Sequence, residues 1–425
     1  MPSGWPDMPT PRAILTDLFT TAVARADPML CLAAHLPPRP TGRLVIIGAG
    51  KASARMAEAL EAVYGPCEGL VITRYGYGRP TQGIEIALAA HPVPDDAGVL
   101  ATQRMLALAQ SLGPDDQIIA LISGGGSSLL CAPMPGLTLR DKQTLNTALL
   151  ASGMPISQMN VIRKQVSAVK GGKLAAAAHP ARILSLVLSD VPGDDPSEIA
   201  SGPTVGSTAT PEMALAALNK WHVDLPAHIR NAVAAAPPPI APDDPRLVGA
   251  TLSIIAAPSQ SLDAARTAAE AQNIDVQILG DALEGEARDL ARTQAALALQ
   301  IAAKPLTRPV LLLSGGECTV TRRGDGRGGP NAEYTLACAL ALNAHPQIHV
   351  LACDTDGVDG VEEVAGAYAG PNTLAVATQT GTSAETALAQ NDAHSFFKAV
   401  GGQIVTGPTL TNVNDFRAIL IMPKA

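Results

Sequence analysis

Short, continuously apolar runs alternate along the chain with longer stretches in which apolar residues recur at helical spacing. The first kind reads as strands buried on both faces, the second as helices packed on a sheet. The series opens with "RLVII" at 43–47, a Gly48-Ala49-Gly50 turn and a helical pattern over 52–61. It continues with "GLVITR" (69–74), "IEIALAA" (84–90), a helix at 96–112, "QIIALIS" (117–123), a helical tract at 139–179 and "RILSLVLS" (182–189). Past 204 the pattern thins, ending in "AAAPPPIAPDDPR" (234–246), the most linker-like segment. A second series follows: "TLSIIAAP", a helix at 259–273, "IDVQIL", a helix at 284–304, "PVLLLSGGECTV", a helix at 331–344, "QIHVLACDTDG" and a last strand near 416–422. This alternation predicts an α/β fold with a largely parallel sheet. A boundary near 240–250 gives two domains, 1–245 and 246–425.

Composition narrows the class. A chain of 425 residues with 47% hydrophobic and 16% charged residues has ample core for two or three domains, and with 3% aromatics that core must be Ala, Val, Leu and Ile. A net charge of -8 argues against a dedicated nucleic-acid binder. The cysteines at 31, 67, 131, 318, 338 and 353 form no CxxC pair, which points to a reducing compartment. The first residues, "MPSGWPDMPTPR", lack the pattern of a signal peptide, and no stretch approaches a membrane span. The expectation is a cytoplasmic enzyme acting on small molecules, without nucleic-acid or membrane partners, as monomer or homodimer.

Three internal echoes locate the chemistry. "ALISGGGSSLL" (120–130) and "LLLSGGECTV" (311–320) are both apolar strands ending in Ser-Gly-Gly. "LSDVPGDDPSEIASGPT" (188–204) and "ACDTDGVDG" (352–360) both end in aspartates, and "SGPT" (201–204) recurs as "TGPT" (406–409). In open α/β sheets ligands bind beyond the carboxyl ends of the strands, so a site in a cleft between the two domains is expected.

Lys51 follows the Gly48–Gly50 turn and falls in the first turn of a helix, where the dipole disfavours a cation. Either an anionic ligand fills the gap or Lys51 is a snorkelling surface lysine; this stretch alone leaves both open. Ser123, Gly124, Gly125, Gly126, Ser127 and Ser128 follow a strand and open a helix, an order that suits an anion cradle. Neither nucleotide fingerprint is complete: Ser53 stands where the third Gly or Ala of a dinucleotide motif belongs, and no G-x-x-x-x-G-K-[ST] occurs. Among Asp190, Asp194, Asp195, Asp354, Asp356 and Asp359, turn chemistry explains most; Asp190, which ends an apolar strand, is the candidate Mg2+ ligand. Arg163, Lys164, Lys170 and Lys173 cluster near the glycine run and suit neutralisation of phosphate charge, and the histidines show no ligand spacing.

These blocks together resemble the glycerate 2-kinase family, whose second domain carries the MOFRL name and whose members are often labelled hydroxypyruvate reductase. The resemblance rests on "GAGKAS" (48–53), "HPVPD" (91–95), "SGGGSSLL" (123–130), "IRKQVSAVKGGKLA" (162–175), "SDVPGDDPSEIASGPT" (189–204), "SGGECTV" (314–320), "GRGGPNAE" (326–333), "DTDGVDG" (354–360) and "TGPTLTNVND" (406–415). It implies ATP-dependent phosphorylation of D-glycerate at its 2-hydroxyl with a divalent metal, on a Rossmann-like parallel-sheet domain and a smaller α/β domain around a cleft. It implies that Lys51 and Arg327 are the principal active-site cations and that Lys51 is functional. Many members read GGRN where this chain has Gly328-Gly329-Pro330-Asn331, so the second charge falls to Arg327 or Arg323.

On that basis Lys51 and Arg327 would bind the acceptor carboxylate or the transferring phosphate. Gly48, Gly50 and residues 123–128 would shape the nucleotide-phosphate cradle, with Lys164 and Lys170 beside it. Asp190 would hold Mg2+ or accept the hydroxyl proton, with Glu317 as second candidate. Asn331 and Glu333 would orient groups at the second domain's edge. Two rivals stand beside this reading: a metabolite sensor, and an NAD(P)-dependent hydroxypyruvate reductase. The second lacks a complete fingerprint, and its only acidic ribose ligand, Glu68, precedes the second strand instead of ending it.

Overall fold

The computed structural model describes residues 9–424. The signal-peptide expectation rests largely on residues 1–8, which lie outside that range. The chain divides into a unit of Pro28–Ile255 and a unit that joins the N-terminal helix Pro11–Arg25 to the residues from Ala256 onward. That helix, counted with the first domain by sequence order, thus packs in the second unit.

The first unit is built on β1 (Leu44–Ala49), β2 (Glu68–Arg74), β3 (Ile84–Ala89), β4 (Gln117–Ile122), β5 (Arg182–Leu188) and β6 (Ala250–Ala256), in the order β3-β2-β1-β4-β5-β6. The β1–β2, β2–β3, β1–β4 and β4–β5 pairs are parallel. Strand β6 lies past the Pro-rich segment yet completes this first sheet, so that segment joins two parts of one unit. Central β1 is buried along its whole length, as an all-apolar strand covered on both faces must be. The strand order is that of dinucleotide-binding folds, with its switch point between β1 and β4.

Beside the sheet lies a helical layer that includes Leu139–Ala151, Ile156–Gln165, Pro211–Lys220 and Ala227–Ala235, with its own core of Leu145, Leu149, Ile162, Leu218, Ile229 and Val233. Thr138 and Asp141 start the first of these helices with a reciprocal capping box. The tract predicted as helical over 139–179 is broken at 152–155 and at 166–172, where Gly153, Gly171 and Gly172 take positive φ.

The second unit contains β7 (Asp275–Gly280), β8 (Gly285–Glu286), β9 (Val310–Gly316), β10 (Cys318–Thr319), β11 (Ile348–Asp354), β12 (Gly366–Ala369), β13 (Gln403–Ile404) and β14 (Asp415–Ile421). Its main sheet runs β13-β12-β11-β14-β9-β7. Only β7–β9 is parallel there; β9–β14, β14–β11, β11–β12 and β12–β13 are antiparallel. The second sheet is therefore mixed, where helix–strand alternation predicts a parallel one. Alternate residues of each strand serve opposite faces. Leu311, Leu313, Leu351, Phe416 and Leu420 pack toward the helices Pro11–Arg25 and Pro258–Glu270, while Leu312, Val350, Ile419 and Ile421 pack toward Ala287–Ala302 and Pro330–Leu342. Among the described residues no helix is long and apolar enough to cross a membrane, and all six cysteines are buried and unbridged.

Candidate active site

The carboxyl ends of β1 and β4 meet at the switch point, where Ala49 pairs with Ile122. Gly50 turns the chain with φ +149°, and a Cβ there would lie 2.1 Å from Ser123 Oγ, so only glycine fits. Lys51 comes next and donates its N–H to the Gly124 carbonyl at 2.8 Å. The helix begins at Ser53 with Ala52 as its cap, so Lys51 stands ahead of the helix and not in its first turn. The dipole argument for its placement therefore weakens, because the turn is fixed by the β4 loop. Gly125 has φ +76°, and a Cβ on it would lie 2.9 Å from His91 Nε2 and 3.2 Å from Lys51 Cγ. The Lys51 stem and the His91 ring thus flank one glycine.

Ser123 is fully buried and accepts the Ala52 N–H at 3.0 Å, with the Ser53 hydroxyl at 3.3 Å. It caps the helix Ser53–Tyr64 instead of offering its hydroxyl to a ligand. The glycine run opens only a single helical turn, Gly126–Leu129. The Ser127 hydroxyl lies 2.9 Å from that of Ser201, which donates to Asn160 Oδ1. Ser128 donates to the Gly125 carbonyl at 3.2 Å.

Behind this loop is a cavity of about 280 Å³, lined by His91, Gly125, Ser127, Ser128, Lys142, Asn146, Arg163 and Lys170 together with Val93, Leu145, Leu150 and Val166. Among the described residues no carboxylate lines it. Lys170 is fully buried and donates to the carbonyls of Ser127 at 2.5 Å and Leu130 at 3.5 Å. Arg163 donates to Asn146 Oδ1 at 3.0 Å and Asn160 Oδ1 at 3.4 Å, both neutral acceptors. Lys142 Nζ is buried without a hydrogen-bond partner. Burial pulls the pKa of Lys142 and Arg163 down and that of Lys170 well down, as expected where cations leave water without a counter-charge.

Of the other basic candidates, Lys164 is ion-paired with Glu198 at 2.8 Å. Lys173 donates to the carbonyls of Lys164 and Ser167 and is pulled down to about 8 by burial. Both serve the structure around the cavity. Asp190 follows β5, so it stands at the same sheet edge as Lys51 and the Gly124 turn. Asp194 closes a short turn, and Asp195 accepts the Ser197 N–H at 2.9 Å. Glu68 begins β2 at the opposite edge, bonded to Arg43, which removes the only acidic ribose ligand available to a dinucleotide.

In the second unit Arg327 lies in a loop whose glycines pack against residues 390–392. Its guanidinium is 65% exposed and bonds Glu362 at two points. Arg323 is exposed, and its N–H donates to Asn391 Oδ1 at 2.7 Å. Pro330 opens the helix Pro330–Leu342, a first-turn position where its missing N–H is harmless. Asp359 accepts the Asn331 and Ala332 N–H groups at 2.9 and 2.8 Å, capping that helix. Asn331 is buried and donates to Asp359 and to Asp415, while Arg417 closes the network 2.9 Å from Asp415. Glu333 is buried against Arg288 at 2.5 Å and Asn391 at 2.9 Å. Asn331 and Glu333 therefore hold this loop region together from inside, with Asn331 Oδ1 left without a hydrogen-bond partner. Asp354 and Asp356 accept N–H groups of the following turn. Glu317 follows β9 and is exposed. Among the described residues, no three His, Cys, Asp or Glu side chains gather as a ready metal cage.

Known proteins place this geometry in context. Residues 14–234 match a domain of unknown function, DUF4147, and residues 310–415 match the MOFRL family. The D-glycerate 2-kinase of Thermotoga maritima is 36% identical over 392 residues, covering 91% of this chain and 93% of that protein. The chain belongs to the glycerate 2-kinase family. The glycerate 2-kinase of Pyrococcus horikoshii is 34% identical over 90% of the chain and 88% of its own length. The crystal structure of a Thermotoga maritima glycerate kinase superposes with a TM-score of 0.86 at 33% identity, covering 97% of this chain and 99% of that one. An Agrobacterium vitis protein, provisionally named a hydroxypyruvate reductase, is 48% identical over 98% of the chain and 96% of its own length. Glycerate 2-kinase relatives thus run through both units, the cavity helices included.

Proposed function

We propose that this protein transfers the γ-phosphoryl group of ATP to the 2-hydroxyl of D-glycerate, giving 2-phosphoglycerate and ADP. The observation that carries the reading is the carboxylate-free, cation-lined cavity that opens beside the Lys51 turn. A phosphoryl-transfer enzyme must hold an anionic acceptor and offer fixed positive charge to the transferring oxygens, with little covalent chemistry of its own. Lys51, whose backbone is pinned to Gly124, would supply that charge. Arg327, paired with Glu362, is the second cation proposed for this role.

A Mg2+ ion fits such a site with few protein ligands, because it keeps waters and phosphate oxygens and takes only one or two carboxylates. Asp190 is the carboxylate that would hold it, with Glu317 as the second candidate, and it would neutralise charge on the phosphates. Asp190, at the sheet edge shared with Lys51, is also the group that would accept the hydroxyl proton.

The reductase reading gains nothing from the geometry. Ser53 Oγ is bonded to the Leu121 carbonyl within the β1 turn, and Glu68 is tied to Arg43 at the far edge. Parallel assays decide between the two: D-glycerate-dependent ADP release from ATP is expected, and oxidation of NADH or NADPH by hydroxypyruvate without ATP would overturn the proposal.

A further inference from the structure

We infer that Lys142, supported by Arg163, binds the carboxylate of the acceptor inside the cavity behind Gly125. This inference rests on the kinase reading and names the residues that hold its acceptor.

Lys142 lies on the helix Leu139–Ala151 in one stripe with Leu145 and Leu149, so its side chain points inward. The residue lines the cavity, and its ammonium is buried without a hydrogen-bond partner. The Cys131 thiol beside it is too weak an acceptor to replace one. The other cavity cations are already engaged, Arg163 with two asparagine oxygens and Lys170 with two carbonyls. An ammonium left without a partner away from water is strongly unfavourable. With no acidic side chain in the lining to answer it, the missing partner is an anion from solution.

A cavity of about 280 Å³ with Leu145, Leu150 and Val166 in its wall has room for a short-chain acid. Its lining includes Gly125, the glycine flanked by Lys51.

The test compares Lys142→Met and Asn146→Asp with the wild-type enzyme. Methionine keeps the length and removes the charge, so thermal stability should be equal or higher. Aspartate keeps the acceptor for Arg163 and places a competing carboxylate in the cavity. Both should raise KM for D-glycerate by about tenfold to a hundredfold, with KM for ATP within about twofold of wild type. Calorimetric titration with D-glycerate, beside a nonhydrolysable ATP analogue, should show binding by wild type that Lys142→Met loses. Unchanged D-glycerate KM in both variants, a matching rise in KM for ATP, or no D-glycerate binding by wild type would overturn the inference. Wild type that binds D-glycerate through Lys142 but releases no ADP would sink the kinase reading and leave this site standing.

Discussion

Arg327 and Glu362 form a two-point ion pair, Nε to Oε1 and Nη2 to Oε2, both at 2.6 Å. The pair holds the guanidinium ready-oriented on a loop that its glycines press against residues 390–392. An exposed ion pair contributes little to stability, and we propose that this orientation serves a ligand.

Arg327→Ala is accordingly expected to leave thermal stability close to wild type while lowering kcat by about a hundredfold or more. Thermal denaturation and steady-state kinetics on the same preparation check this. Near-normal turnover would move the second cation to Arg323 or elsewhere.

Lys51 and Ser123 should behave in opposite ways although their two turns are bonded to each other. Lys51→Ala keeps the backbone bond to Gly124, so stability should hold while kcat/KM falls by roughly a hundredfold to a thousandfold. Ser123→Ala removes the acceptor for the buried Ala52 N–H, which should lower stability by about 1–3 kcal/mol and leave kcat of the folded fraction close to wild type. A Ser123→Ala enzyme that is stable but inactive would return Ser123 to the phosphate cradle.

The fold was largely legible because buried strands and amphipathic helices carry different periods, and β1 and the helix Ser53–Tyr64 lie close to where those periods put them. Strand direction in the second sheet was not legible. β14 is buried at every position because helices cover both faces, so its sequence resembles that of a parallel strand. The glycine loop was found by its motif, but the use of Ser123 as a helix cap depends on a contact seventy-one residues away. Lys142 was missed because its neighbours Arg140, Asp141 and Gln143 read as a solvated helix face. Its spacing to Leu145 and Leu149 was the signal that it lay on the buried stripe.

The buried His394 gives a pH signature. Burial alone would lower its pKa, but its hydrogen bond to Asp359 and the charge of that carboxylate outweigh this and raise it. A histidine raised in the folded state lends stability that is fully present below its unfolded pKa, about 6.5. That stability disappears as pH rises through the folded value. The melting-temperature advantage of wild type over His394→Gln should therefore be largest below about pH 6.5 and shrink toward alkaline pH. An advantage that grows with pH would contradict the assignment of charge to this pair.

The central claim, transfer to the 2-hydroxyl of D-glycerate, is tested most directly by the identity of the product. Enolase acts on 2-phosphoglycerate directly, whereas the 3-phosphate must first pass through a mutase. Incubation of the protein with ATP, Mg2+, D-glycerate and enolase, without mutase, should produce phosphoenolpyruvate at the rate of ADP release. ADP release with phosphoenolpyruvate appearing only after mutase is added would contradict the account.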